Sequence, residues 1–159
     1  MYPDSSQGLN KETNESIFFF TPAFHVFDNF SAHAVTIWEH TFPTAEHAYQ
    51  WKKFSQDPNI SKRILSARSP EAVNSLGRQN RNKIPQGWHD KKIDVMKEIL
   101  RAKAEQNDDV REALQRSGER AIIENSPIDD FWGNGPDGKG QNIIGNIWMG
   151  IRKEKFKKK

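Results

Sequence analysis

Cysteine is absent from this chain of 159 residues, which excludes disulfides, thiolate zinc sites and thiol nucleophiles and fits a reducing compartment. Long apolar runs are absent too. The longest are a few residues, far short of the ~20 that a helix needs to cross a bilayer, and residues 1–16 are too polar for a secretory leader. A cytoplasmic protein with no membrane partner is the expectation. Ready-made signatures are also missing: there is no G-x-x-x-x-G-K-[ST] phosphate loop, no G-x-G-x-x-G following a strand, no G-x-S-x-G elbow and no H-E-x-x-H. The five histidines lack ligand spacing, so neither a metal nor another cofactor is expected.

What is present, 35% hydrophobic and 28% charged residues, suffices for one ordinary domain with a real core. The net charge of +3 is unevenly placed, because Arg152 to Lys159 carry six bases and one acid, leaving 18 bases against 20 acids elsewhere. Residues 153–159 therefore read as a basic tail, either a solvated terminus or a phosphate-attracting arm. Residues 1–16 read as a disordered N-terminal segment, and 17–152 as the folded domain. No internal repeat or low-complexity block is visible.

Eight of the ten phenylalanines lie between Phe18 and Phe54, so this stretch supplies much of the core. Ile17 to Phe20 and Val35 to Phe42 read as strands, separated by a loop with Pro22 and Asn29. Thr44 caps a helix running to about Ser55. Ser69-Pro70-Glu71 opens another, ended by Gly77. Ile93, Met96, Ile99 and Leu100 stripe a helix between about Asp90 and Glu105, with Trp88 at its entrance. Asp109 with Glu112 resembles a capping box for a helix closed by Gly118. Ala121 to Glu124 forms a short strand, and Ile143 to Arg152 returns to helical spacing. Five of the ten glycines fall between Gly133 and Gly145, where neither a helix nor a central strand forms. The predicted class is α+β, mainly α-helical, with a small β-sheet.

Two segments carry chemistry. At roughly 100° per residue, Glu46, Gln50 and Lys53 share one face of the helix after Thr44, while His47, Trp51 and Phe54 occupy another. Glu46 sits in the first turn, where the helix dipole favours a carboxylate. The plain alternative is an exposed polar face. The second segment, Ile123 to Gly133, joins acids to Trp132 ahead of the glycine-rich loop, which suits either a close approach to phosphate or sugar or a tight turn.

In order, Asn29-Phe30, Thr44 to Gln50 with Lys53-Phe54, Ala67 to Pro70, Ala72 to Gly77, Trp88, Met96, Ala102-Lys103, Glu124 to Ser126, Asp129, Trp132-Gly133, Gly140, Asn142, Gly145 and Arg152 resemble the NADAR family, also called YbiA-like. The resemblance implies a mostly helical YbiA-like domain over 17–152 acting as an N-glycosidase. One branch of the family splits ribosylaminopyrimidine phosphates of the riboflavin route, and another removes ADP-ribose from guanine bases. The implied partner is a nucleotide-type substrate with a ribose phosphate or ADP-ribose moiety, ADP-ribosylated nucleic acid included.

Either reaction breaks a bond between ribose C1′ and nitrogen, building an oxocarbenium-like cation that a carboxylate stabilises while the departing nitrogen takes a proton. The resemblance thus assigns Glu46 to the cation or the attacking water, and Asp129 to orientation or protonation on the opposite side. Lys53 would bind a phosphate, which needs less tuning of its pKa, or attack an opened ribose as an amine. Trp88 and Trp132 offer flat surfaces for a base, with core packing the alternative for Trp88. Asn29 and Asn142 are sugar or phosphate partners, and Gly133 is a position of close backbone approach. Phe30, Tyr49 and Gln50 complete the expected substrate-binding set. Two other classes stay open: a non-catalytic ADP-ribose or NAD-binding module, and a nucleic-acid-binding domain working through the lysine-rich tail.

Overall fold

A computed structural model describes residues 8–21 and 25–156. In chain order its elements are β1 (Lys11–Glu12), β2 (Ser16–Phe19), β3 (Val35–Ile37), β4 (His40–Phe42), α1 (Ala45–Lys53), α2 (Pro58–Ser66), α3 (Pro70–Gln79), α4 (Trp88–Gln106), α5 (Asp108–Arg116), β5 (Ala121–Glu124) and α6 (Ile143–Lys155), with a 3-10 turn at Arg81–Lys83. The class is α+β and mainly helical. The folded segment contains two compact units: Asn29–Asn107, and a terminal unit formed by the chain up to Asp28 and from Asp108 onward. No helix among the described residues is long and apolar enough to cross a membrane.

In the unit 29–107, β3 and β4 pair antiparallel, with Val35 opposite Phe42 and Ile37 opposite His40. The single strand expected over 35–42 is therefore a hairpin. Its turn places Trp38 and Glu39 at φ of 51° and 66°, two consecutive left-handed residues, as in a type I′ turn. Side chains other than glycine resist that conformation, and distant contacts hold it. The Trp38 ring stacks on Trp51 at 6.2 Å, its indole N–H donates to Glu98 at 3.2 Å, and the Lys52 ammonium lies 4.7 Å from the ring.

Helix α2 was not anticipated, although Asp57 caps it by accepting from the N–H groups of Asn59 and Ile60, and Pro58 occupies its first position. Only Ile60 and Ile64 of α2 are buried, too sparse a stripe to announce a helix. They join Phe54 and Val73 in a core that Trp51 and Leu76 pack against. Helix α3 runs past Gly77, which was expected to end it. Gly77 is instead a point of close approach: a Cβ there would lie 2.5 Å from the Gln50 Oε1. Helix α1 packs on α2, α3 and α4, which buries most of its surface.

In the terminal unit, β2 pairs antiparallel with β1 and parallel with β5, with Ser16 opposite Ala121 and Phe19 opposite Glu124. Disorder was expected throughout 1–16, yet residues 10–16 take part in the fold. The Asn10 carboxamide donates to the Phe20 carbonyl at 2.8 Å and accepts from its N–H at 2.9 Å. Helix α6 packs on β5, and Phe19, Phe27, Ile122, Ile147, Trp148 and Ile151 are buried. The Trp148 indole N–H donates to the Phe27 carbonyl at 3.0 Å, satisfying the one polar atom of a fully enclosed ring. Pro22 and the last three residues of the basic tail lie outside the described residues.

Candidate active site

Helix α1 begins with a tightly made cap. The Thr44 hydroxyl oxygen accepts the His47 backbone N–H at 3.2 Å and lies 2.7 Å from the ring Nδ1 of His47. The His47 Nε2 lies 3.0 Å from the Ala67 carbonyl. A carbonyl only accepts, so Nε2 carries the proton and Nδ1 accepts from Thr44. Burial lowers the pKa of His47, a shift that the Ala67 contact partly opposes. Both ring nitrogens are thus used in fixing the start of the helix.

One residue earlier stands Glu46, whose backbone N–H donates to the Asn29 carbonyl at 3.1 Å. Its side chain is not on an exposed polar face, being only 6% accessible. The Glu46 Oε1 accepts from the Gln50 carboxamide at 2.8 Å and from the Asn74 carboxamide at 3.2 Å. Gln50 comes from the next turn of α1, and Asn74 comes from α3. Asn74 and Gly77 were not singled out as site residues from sequence. The Ser69-Pro70 start fixes the phase of α3 and places them three residues apart on one face, but only the packing of α3 on α1 shows what that face meets.

Tyr49 and Lys53 continue the stripe. The Lys53 ammonium lies 5.0 Å from the Tyr49 ring centroid. Burial is the largest influence on Lys53 and lowers its pKa; Glu46 pulls it back up, and Lys92 adds to the lowering. Tyr49 also contacts Trp88, ring to ring at 5.4 Å, at the start of α4. Three buried polar atoms here have no hydrogen-bond partner: the Gln50 Oε1, the Asn29 Oδ1 and the Trp88 Nε1. The other end of the Asn29 carboxamide faces the Met96 sulfur at 3.6 Å. Phe30 follows, half-buried. The structure thus gathers Asn29, Phe30, Glu46, Tyr49, Gln50, Lys53 and Trp88 in the unit 29–107.

The remaining expected residues belong to the terminal unit. Asp129 is exposed, and its Oδ1 accepts from the N–H groups of Phe131 and Trp132 at 2.9 and 2.8 Å, shaping the loop. The half-buried Trp132 stands edge-on to Phe131 at 4.8 Å. Gly133 has no room for a side chain, since a Cβ would lie 2.7 Å from the Glu124 carbonyl oxygen and 2.8 Å from the Ser126 Cβ. Asn142 adopts φ of 49°, accepts from the Glu124 N–H at 2.9 Å and donates to the Ile122 carbonyl at 2.9 Å. Its carboxamide ties the start of α6 to β5.

Buried polar atoms without partners are rare in folded proteins; three of them in one unit with a buried carboxylate and a lysine whose pKa burial lowers make this stripe the candidate site of an enzyme. The chain belongs to the NADAR domain family, whose match spans residues 10–154. N-glycosidase Npun_R5314 of Nostoc punctiforme is 37% identical over 130 residues, covering 80% of this chain and 83% of that protein. N-glycosidase YbiA of Escherichia coli is 33% identical over 128 residues, covering 80% of this chain and 79% of that protein. The NMR structure of YbiA superposes with a TM-score of 0.80 at 30% identity, over 92% of this chain and 88% of that one. The chloroplastic riboflavin biosynthesis protein PYRR of Zea mays is 34% identical over 158 residues, 90% of this chain but 25% of that protein.

Proposed function

We propose that this chain is an N-glycosidase of the cytoplasm that hydrolyses the bond between ribose C1′ and the nitrogen of a ribosylated base. The observation that carries this reading is the buried Glu46 carboxylate, held from two helices by Gln50 and Asn74, in the unit where the Gln50 Oε1, the Asn29 Oδ1 and the Trp88 Nε1 are buried without partners. As the C1′–N bond breaks, its electron pair leaves with the nitrogen, which takes up a proton. The ring oxygen shares the positive charge with C1′, and water adds there while losing a proton. Glu46 is placed to stabilise the cation and to accept that proton.

Lys53 either binds a phosphate as a cation or attacks an opened ribose as an amine. Its lowered pKa favours the amine role, which needs the neutral form. Trp88 with Tyr49 receives the base, and the free oxygens of Asn29 and Gln50 accept from sugar hydroxyls or from the base. Asp129 and Asn142 act as positioning residues by fixing the loop that carries Trp132 and Gly133.

The substrate is a ribosylaminopyrimidine phosphate, a reading supported by the riboflavin name of the maize relative, or an ADP-ribosylated guanine in a nucleotide or nucleic acid. Incubating the purified chain with each, and following the freed base by mass spectrometry, tests the proposal. Release from one of them is expected. Release from neither overturns it, and ADP-ribose bound calorimetrically but recovered intact would leave a binding module in its place.

A further inference from the structure

Net positive charge within the unit 29–107 is concentrated between the start of α2 and the 3-10 turn that follows α3. Residues 58–83 hold six bases, Lys62, Arg63, Arg68, Arg78, Arg81 and Lys83, against one acid, Glu71. All six are exposed, and among the described residues no carboxylate pairs with any of them. Between α2 and α3 lies an open groove of about 600 Å³ lined by Lys62, Arg63, Ser66, Ser75 and Gln79 among others, with no acid in its wall. In sequence, this charge is distinct from that of the terminal lysines.

We propose that this face binds the phosphate backbone of a nucleic acid. Four of the six bases are arginines, whose planar guanidinium groups meet phosphate oxygens through paired hydrogen bonds. The hydroxyls of Ser66 and Ser75 and the Gln79 carboxamide add the neutral donors that commonly contact backbone oxygens. A helix rises about 1.5 Å per residue, so the ten residues of α3 set Arg68, before its start, about 15 Å from Arg78 in its last turn, farther than one phosphate reaches and suited to a repeating polyanion. Residues 58–83 contain no aromatic side chain, so bases have nothing to stack on and binding should be independent of sequence. Helix α3 serves both sites: Asn74 holds Glu46, while its neighbour Ser75 lines the groove. The binding surface does not depend on the glycosidase reading.

Fluorescence anisotropy with a short labelled DNA duplex, over a series of salt concentrations, tests the proposal on the full chain. The variant Lys62→Ala/Arg63→Ala/Arg68→Ala/Arg78→Ala removes four exposed cations and should melt like the parent. Each lost phosphate contact reduces the slope of log K against log salt by about 0.9, so the slope should fall by about 3 to 4 and affinity at least about tenfold. Neutralising Lys157, Lys158 and Lys159 to glutamine should cost much less. Unchanged affinity in the groove variant, loss of binding only in the tail variant, or polyglutamate competing as well as DNA would each overturn the proposal. The groove variant should keep its turnover on ribosylaminopyrimidine phosphate, and Glu46→Gln should keep its DNA binding, so failure of either proposal is visible separately.

Discussion

Replacing Glu46 with glutamine isolates the charge from the shape. The amide retains an oxygen for the donors that now lie at 2.8 and 3.2 Å, from Gln50 and Asn74, so the contact between α1 and α3 persists and the melting temperature should change little. What disappears is one negative charge facing a cation on the ribose. At about 4 Å and an effective dielectric constant of about 20, that attraction is about 4 kcal/mol. Because Glu46 is only 6% accessible, bulk water does not replace it. At about 1.4 kcal/mol per tenfold, the chemical step should slow about a thousandfold. KM should move far less, since the ribose is uncharged before the bond breaks. The assay is single-turnover release of base with enzyme in excess, which separates chemistry from product release. A folded Glu46→Gln chain reacting within about tenfold of the parent would refute the assignment, because the missing charge accounts for far more than that.

Gly77→Ala places a Cβ 2.5 Å from the Gln50 Oε1 and 2.9 Å from its Cδ, so the carboxamide must swing away from Glu46. A hydrogen bond to a charged group is worth about 1.5–3 kcal/mol, so Gly77→Ala and Asn74→Ala should each slow single-turnover release about tenfold or more; parental rates would remove Gln50 and Asn74 from the machinery. Burial lowers the pKa of Lys53 and Glu46 opposes that shift. The pH midpoint for acylation of Lys53, followed by mass spectrometry, should therefore lie below that of an ordinary lysine and fall further in Glu46→Gln. Borohydride should also trap a substrate adduct on Lys53 if the amine attacks, and no adduct under turnover would leave the phosphate role. Burial lowers the pKa of His47, so the unfolded chain binds its proton at a higher pH than the folded one. Stability is fully present above the ordinary histidine pKa of about 6.5 and declines as pH falls from there through the lowered value. Thermal melts from neutral to mildly acidic pH should show this loss, and His47→Gln should reduce it.

The helices were legible where apolar spacing coincided with a cap: Thr44 starts α1, Ser69-Pro70 starts α3, and Gly118, at φ of 62°, follows α5. Where the deciding contact was remote, local pattern misled. Trp38 and Glu39 carry no turn signature, and Trp51 and Glu98 hold them in a hairpin. Gly77 looked like a helix end because glycine weakens helices, when its actual constraint is the Gln50 side chain of another helix. Residues 10–16 are too polar to predict a strand, yet β2 supplies the backbone partners. The helix-forming periods, the class of fold and the candidacy of Glu46 and Lys53 are readable from the order of residues, because they depend on residue types a few positions apart. That Glu46 is buried, that Asn74 and Gln50 share its oxygen, and that burial lowers the pKa of Lys53 follow from the packing of the helices alone. Solvent exclusion and hydrogen-bond geometry arise only when segments distant in the chain are packed together.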